Sequence, residues 1–223
     1  MKYGFFITGT DTGVGKTWAT IALMRRFKQQ ELSVVGMKPV AAGCEYQDGQ
    51  LKNEDALLIQ ENASQWLDYS DINPYAFEDA ISPHLAGVEY PVQIDVIAQA
   101  FDKIKDKADV ILVEGAGGWF APLNNEDDIA DLAKALALPV IVVVAIRLGC
   151  INHARLTLQA IQSAGVHCVG WIAMCIDPKM ARQDENIATI KNKSSAPLLG
   201  VLPYTDEMNF DYLAENLTAE KLI

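Results

Sequence analysis

A glycine-rich segment, GTDTGVGKT at residues 9–17, lies between a short apolar run at residues 4–8 and a segment with helical character at residues 18–30. In this order of strand, loop and helix, glycines let backbone N–H groups surround phosphate oxygens, and the helix start adds partial positive charge. The Lys16 ammonium can reach the β- and γ-phosphates, and the Thr17 hydroxyl can bind magnesium. The first glycine lies six positions before the glycine that precedes the lysine, rather than the usual five. We interpret the segment as a variant phosphate-binding loop; the alternative is an ordinary glycine-rich turn.

Short apolar runs rich in β-branched residues recur along the chain, and most are continuous, which is typical of strands buried on both faces. They lie at residues 4–8, 33–37, 110–113, 140–146, 166–173 and 198–202. Helical patterns separate them, as at residues 94–104 and 129–136. The alternation predicts an α/β fold with a doubly wound, mostly parallel sheet in a three-layer sandwich. We expect residues 44–53 to form a loop and residues 68–90 an irregular excursion with at most a short helix.

The composition limits where such a protein works and what it binds. With 223 residues and 50% hydrophobic content, the chain suits one domain over residues 1–223. A formal net charge of −11 opposes binding to nucleic acid or to an anionic membrane surface. The four cysteines lack the spacing of redox or zinc motifs, which favours reduced thiols and a cytoplasmic location. The longest nearly unbroken apolar stretch, residues 135–146, is too short to span a bilayer.

Two further strand ends carry candidates for the same site, because ligands bind beyond the carboxyl ends of parallel strands. Glu114 follows the apolar run at residues 110–113 and precedes a glycine-rich segment, which resembles a Walker B arrangement with a magnesium ligand. Lys38 ends the second strand, where a cation can stabilise a transferring phosphoryl group. Asp55 precedes an apolar helix and is either a second metal ligand or an acid favoured in the first turn. A solvated acid and a surface lysine are the alternatives for Glu114 and Lys38.

The segment after the most apolar strand is a candidate anion site. Cys150, Ile151 and Asn152 open a helical pattern that runs to about Ser163. Free N–H groups at a helix start can bind an anion such as a substrate carboxylate. An asparagine-capped helix start without a ligand is equally compatible with the local sequence.

Taken together in order, these motifs resemble the dethiobiotin synthetase family. The matching stretches are GTDTGVGKT at 9–17, KPV at 38–40, NPYAF at 73–77, SPH at 82–84, VEGAGGW at 113–119, LGCINHA at 148–154, GW at 170–171 and PLLGVLP at 197–203. The resemblance implies a homodimeric cyclo-ligase that uses ATP and Mg²⁺ to join CO₂ to 7,8-diaminononanoate, with dethiobiotin, ADP and phosphate as products. It also implies a carbamate and a mixed carbamic-phosphoric anhydride as intermediates.

The resemblance implies a role for individual residues. Catalysis is implied for Lys16, Lys38 and Thr10. Nucleotide binding is implied for Gly13, Val14, Gly15, Lys16, Thr17, Asp55, Glu114, Gly117, Pro203 and Tyr204, and Mg²⁺ binding for Thr17, Asp55 and Glu114. Substrate binding is implied for Thr12, Lys38, Gly117, Gly118 and, from the partner subunit, Cys150, Ile151 and Asn152.

The chain departs from the family pattern at two places. The family commonly has a hydroxyl residue two positions after KPV, but Ala41-Ala42-Gly43 offers only backbone there. A lost neutral hydrogen bond of this kind is worth about 1 kcal/mol, so substrate affinity is expected to soften. Where the family often places an asparagine that reads adenine, this chain has Met174-Cys175. Methionine packs on a base without pairing with its polar edge, so we predict a relaxed base preference.

Three other functions are compatible with parts of the sequence. A nucleotide-driven switch of the partitioning or cluster-assembly type usually has an extra lysine near the start of the loop, where this chain has Thr10 and Asp11. An amide-forming synthetase of cofactor synthesis normally needs a glutaminase domain, for which 223 residues leave no room. A regulatory dimer without catalysis is disfavoured because Lys16, Lys38 and both acids are all present.

Overall fold

The computed structural model describes residues 1–219 and 222–223. The strands are β1 (Tyr3–Gly9), β2 (Val34–Met37), β3 (Val40–Ala42), β4 (Glu45–Gln47), β5 (Gln50–Lys52), β6 (Tyr75–Phe77), β7 (Val110–Gly118), β8 (Val140–Ala145), β9 (Cys168–Met174) and β10 (Leu198–Leu202). The helices are α1 (Lys16–Gln29), α2 (Glu54–Glu61), α3 (Tyr69–Ile72), α4 (Pro83–Ala86), α5 (Ile94–Ile104), α6 (Ile129–Ala135), α7 (Cys150–Ser163), α8 (Gln183–Lys193) and α9 (Phe210–Glu215), with a 3-10 turn at Lys105–Lys107.

The central sheet contains six parallel strands in the order β10-β9-β8-β1-β7-β2. Every residue of β8 is buried, and β1 is buried from its second residue onward, as expected for continuous apolar strands covered on both faces. Helix α1 contacts both α2 and α9, while α5 packs on α6 and α7 packs on α8. The predicted doubly wound α/β sandwich is therefore confirmed. The sheet strands begin and end within two residues of the predicted runs, except that β7 continues five residues beyond residue 113 to Gly118.

Two loop predictions were wrong. Residues 44–53 contain an antiparallel hairpin of β4 and β5 rather than a plain loop. The turn residues Asp48 and Gly49 have φ of 52° and 80°, the left-handed conformations of a tight hairpin turn, for which Asp-Gly is a favoured pair. Residues 68–90 contain α3, β6 and α4 instead of a single short helix. Strand β6 forms because it pairs in parallel with β3, a partner that local sequence does not reveal.

Helices α8 and α9 were not predicted. The α8 sequence is mostly polar, and its buried residues are only Ile187 and Ile190. With so little apolar periodicity, its packing against α7 determines its position. Among the described residues, no helix is both long and apolar enough to cross a membrane.

Candidate active site

The phosphate-binding loop connects β1 to α1. Gly13 and Gly15 have φ of 68° and 83°, in the left-handed region where a side chain would be strained. The N–H of Thr10 donates to the carbonyl of Val143 at 3.0 Å, which ties the start of the loop to β8. Val14 is buried and anchors the middle of the loop in the core. The local sequence thus produces the expected order of strand, loop and helix.

Lys16 is the first residue of α1 and is buried. Its Nζ donates to the main-chain carbonyl of Asp11 at 3.0 Å, so the ammonium lies inside the loop. Burial and, next, the nearby Lys38 ammonium lower the pKa of Lys16 to about 8. An anion bound in this loop would reverse that effect by stabilising the charged lysine.

Lys38 forms the centre of a buried charge cluster. Its Nζ lies 2.5 Å from Glu114 Oε1 and 3.3 Å from Asp55 Oδ2. The same Oε1 atom accepts a hydrogen bond from the Thr17 hydroxyl at 2.9 Å. Burial opposes the lysine charge, but the two carboxylates outweigh it and raise the pKa of Lys38. The structure therefore brings together Thr17, Lys38, Asp55 and Glu114, which lie far apart in sequence.

The oxygen atoms of this cluster fit Mg²⁺. Glu114 has no exposed surface, and its Oε2 atom is buried without a hydrogen-bond partner among the described residues. Such an atom is costly to bury unless it is paired or binds a cation. Asp55 adds a carboxylate that is 43% exposed, and Thr17 adds a hydroxyl. Mg²⁺ typically takes one or two protein carboxylates and fills its remaining positions with phosphate and water oxygens, so this sparse set suits it.

A cavity of about 670 Å³ opens above the cluster. Its lining includes the predicted residues Thr12, Gly13, Gly15, Lys16, Thr17, Lys38, Asp55, Glu114 and Gly117. Ala41 and Ala42 also line it. The position where the family commonly has a hydroxyl residue, Ala42, is therefore part of the cavity lining. Residues 80–83 also line the cavity, although the sequence analysis gave them no role beyond the matching stretch SPH. A cavity of this size accommodates a triphosphate with a small substrate.

A smaller cavity of about 190 Å³ lies at the ends of β9 and β10. Pro203 and Tyr204 line it together with Met174, Cys175 and Trp18. The Met174 side chain packs over the loop, because a Cβ atom added at Gly15 would lie 2.8 Å from Met174 Cγ. Gln183 donates to Cys175 Sγ at 2.7 Å, and burial raises the pKa of this thiol to about 11, so it stays neutral at physiological pH. This cavity is the candidate site for a nucleotide base.

The first residues of α7 do not line the cavities at the phosphate loop of their own chain. Neither Cys150, Ile151 nor Asn152 lines the cavities described above. Cys150 is buried and Asn152 is exposed, at a helix start whose preceding residue, Gly149, has φ of 93°. The described part of one chain thus leaves these three residues outside the charge cluster.

A third cavity, of about 660 Å³, lies between the phosphate loop and α7. Thr10, Thr12, Gly117 and Gly118 line it, with the exposed Phe120 and Leu156 at its rim. Gly117 and Gly118 approach the loop closely: an added Cβ at Gly118 would lie 3.5 Å from the carbonyl oxygen of Gly9. The predicted substrate residues at the loop and in β7 therefore lie side by side.

Comparison with known proteins agrees with this geometry. A family model described as an AAA domain matches residues 3–211. The ATP-dependent dethiobiotin synthetase BioD of Xylella fastidiosa (strain 9a5c) is 46% identical over 202 residues, which cover 90% of this chain and 89% of that protein. The same enzyme of Xanthomonas oryzae pv. oryzae (strain PXO99A) is 44% identical over 215 residues, with 96% of each chain covered.

Solved structures show the shared fold at low identity. The MinC:MinD cell division protein complex of Aquifex aeolicus superposes with a TM-score of 0.59 at 18% identity, covering 96% of this chain and 87% of that one. Cobyrinic acid a,c-diamide synthase from Mycobacterium smegmatis, with bound ADP and magnesium, has a TM-score of 0.59 at 14% identity, covering 96% and 92%. At such identities the similarity concerns architecture alone.

Proposed function

This chain belongs to the dethiobiotin synthetase family, whose members are ATP-dependent cyclo-ligases of biotin synthesis that use Mg²⁺, and we propose that it joins CO₂ to 7,8-diaminononanoate and closes the ring of dethiobiotin. The observation that supports this most strongly is the convergence of Lys38, Glu114, Asp55 and Thr17 beside the phosphate loop. A nucleotide switch needs the loop and a metal ligand. A second buried lysine beside them suits a reaction in which an additional anion attacks the phosphate.

The proposed reaction has three steps. One substrate amine attacks CO₂ and loses a proton, which gives a carbamate. A carbamate oxygen attacks the γ-phosphorus, the bond from that phosphorus to the bridging oxygen breaks, and ADP leaves. The second amine then attacks the carbonyl carbon of the carbamic-phosphoric anhydride, the carbon–oxygen bond to phosphate breaks, and phosphate leaves as the urea ring closes with loss of a proton.

Charge stabilisation is the main contribution that we assign to the protein. Lys16 and Lys38 both line the large cavity, and both are buried where electrostatic interactions are strong. We propose that Lys16 binds the β- and γ-phosphates and that Lys38 stabilises the carbamate and the transferring phosphoryl group. Thr10 and Thr12 would position the phosphoryl group and the substrate, with the backbone of Gly117 and Gly118 beside them.

We propose Thr17, Asp55 and Glu114 as the residues that hold Mg²⁺. When bound, the ion neutralises charge on the β- and γ-phosphate oxygens. The unpartnered Oε2 atom of Glu114 supports this assignment, as does the presence of all three residues in the lining of one cavity. Gly13, Val14 and Gly15 would hold the phosphates with backbone N–H groups, and Pro203 and Tyr204 would border the base.

We further propose a homodimer in which Cys150, Ile151 and Asn152 receive the substrate carboxylate bound at the partner's loop. Their absence from the lining of the cavities at the phosphate loop of their own chain supports this arrangement. So does the apolar surface around α7, where the exposed fractions of Leu148, Phe120 and Leu156 are 96%, 65% and 58%. A cytoplasmic location is proposed from the four free cysteines.

The decisive test measures phosphate release from ATP with Mg²⁺ and bicarbonate, with and without 7,8-diaminononanoate, together with the mass of the organic product. We expect release to depend on the diamine and the product to carry one carbonyl group in place of two hydrogen atoms of the diamine. Release that is indifferent to the diamine, without a new product, would refute the synthetase assignment and favour a nucleotide switch.

A further inference from the structure

Arg147 links two parts of the molecule for which we propose different ligands. It follows β8 and precedes α7. Its Nη2 donates a hydrogen bond of 2.7 Å to Asp11 Oδ2 in the phosphate loop. Its main-chain carbonyl accepts the N–H of Cys150, the first residue of α7, at 2.9 Å. One residue thus contacts the phosphate loop with its side chain and the first turn of α7 with its backbone.

Asp11 also forms hydrogen bonds with two other residues of the phosphate loop. Its Oδ1 atom accepts the N–H of Thr12 at 2.7 Å, while its carbonyl oxygen accepts the Lys16 ammonium at 3.0 Å. The orientation of Asp11 therefore affects both an amide of the loop and the lysine that faces the phosphates. A guanidinium is suited to fix that orientation because its donors have a rigid geometry.

The ion pair between Arg147 and Asp11 is too exposed to contribute much to global stability. The side chains of Arg147 and Asp11 are 39% and 49% exposed, and ion pairs at such positions contribute little to global stability. Removing the pair should leave the fold intact. Its effect should instead appear in the position of the loop and of the helix start that it connects.

We propose that Arg147 is a positioning residue that holds the phosphate loop through Asp11 and couples nucleotide occupancy of the loop to ligand occupancy at the start of α7. The coupling rests on the proposed function, in which that helix start receives the carboxylate of a substrate bound at the partner's loop. The ion pair would then connect the two active sites of a dimer. Because coupling between two binding sites is reciprocal, the diamine must change ADP affinity by the same factor as ADP changes diamine affinity.

The test measures binding of a fluorescent ADP analogue to the full chain with Mg²⁺, with and without 7,8-diaminononanoate. We expect Arg147→Met to weaken ADP binding about fivefold and to remove the effect of the diamine on it. Arg147→Lys, which keeps the charge, should restore much of both. Arg155→Met is the control, because Arg155 is an exposed residue of α7 and should not affect either quantity.

A second variant separates the ion pair from other effects of Arg147. Asp11→Asn still provides an acceptor for the Thr12 N–H but loses the charge, so it should reproduce Arg147→Met, and the double variant should show no further loss. Wild-type ADP affinity in Arg147→Met, or additive losses in the double variant, would overturn the positioning role. If the diamine does not change the ADP affinity of the wild type, the proposed coupling is wrong. Failure of the proposed function would appear separately, as phosphate release that does not depend on the diamine.

Discussion

The ammonium of Lys38 lies 2.5 Å from the Glu114 carboxylate because β2 and β7 are parallel neighbours in a fixed register. Met37 is opposite Val113, so the next residue of each strand lies at the same level of the sheet. This register places a cation and an anion together where β2 ends beside the middle of β7. The pair is therefore a consequence of strand pairing, and the large cavity opens directly above it.

The buried ion pair between Lys38 and Glu114 predicts a loss of stability that can be measured without any assay of catalysis. Lys38→Met should destabilise the nucleotide-free protein by roughly 3–5 kcal/mol, because it leaves the fully buried Glu114 without its main counter-charge. Urea unfolding in the presence of a chelator measures this. Adding Glu114→Gln to the variant should restore part of the lost stability. The exposed Lys193→Met serves as the control, and equal unfolding midpoints for the two single variants would contradict the prediction.

The unpartnered Oε2 atom of Glu114 predicts a metal-binding defect. Glu114→Gln keeps the size of the side chain and an acceptor for the Thr17 hydroxyl but removes the negative charge. We expect the Mg²⁺ concentration that supports half-maximal ADP binding to rise at least about tenfold, the scale on which metal-site substitutions act. Titration of ADP binding against Mg²⁺ measures it. Glu126→Gln, at an exposed position of another loop, should leave the titration unchanged.

The lowered pKa of Lys16 predicts opposite pH effects on stability and on nucleotide binding. The pKa is about 8 in the folded protein against 10.5 for an ordinary lysine, so between these values the folded state holds fewer protons than the unfolded state. The burial cost of the charge is present below pH 8 and is relieved as the pH rises through this window, so this group makes the free protein more stable there.

ADP affinity should instead fall as the pH rises above 8, because phosphate binds the protonated lysine. Calorimetry at pH 8.5 in two buffers of different ionisation enthalpy should show proton uptake on ADP binding. In Lys16→Arg the guanidinium stays protonated, so the uptake should disappear. Identical binding enthalpies for the wild type in both buffers would be inconsistent with this prediction.

Much of the site follows from local sequence, and the remainder depends on distant contacts. Continuous apolar runs predicted the sheet strands. Because ligands bind beyond the carboxyl ends of parallel strands, the sequence alone predicted that Lys16, Lys38 and Glu114 belong to one site. The role of Asp55 stayed open because an acid in a first helical turn has a second explanation. The structure shows both features, since Asp55 lies in the first turn of α2 and contacts Lys38.

The features that the sequence analysis missed have identifiable causes. The hairpin turn at Asp48-Gly49 carries a known pair of turn residues and was predictable. The pairing of β6 with β3 and the cavity lining at residues 80–83 depend on chain segments that approach only in three dimensions. The contact between Arg147 and Asp11 spans 136 residues, and neither residue has a local pattern that predicts it.

The candidate base cavity lined by Met174, Pro203 and Tyr204 predicts weak discrimination among nucleoside triphosphates. Met174 contributes packing surface there, and it offers no polar atom that pairs with the edge of adenine. We expect GTP and CTP to support the reaction within about tenfold of ATP in kcat/KM, and Met174→Asn to raise the preference for ATP by roughly fivefold, the effect of one neutral hydrogen bond. Strict discrimination by the wild type would contradict this. An unfolding measurement on Met174→Asn shows whether a buried asparagine has weakened the protein instead.

Because Asn152 does not line the cavities at the phosphate loop of its own chain, the proposed dimer predicts complementation between two defective variants. In the proposed dimer, each site takes Lys38 from one subunit and Asn152 from the other. Lys38→Met removes the cation and Asn152→Ala removes a contact to the substrate carboxylate, so each homodimer should be impaired in diamine-dependent phosphate release. Mixing and re-equilibrating equal amounts makes half of the dimers heteromeric, and each of these has one intact site. About a quarter of wild-type activity should therefore return. If both residues instead acted within one chain, no intact site would form and the mixture would show only the average of the two variants.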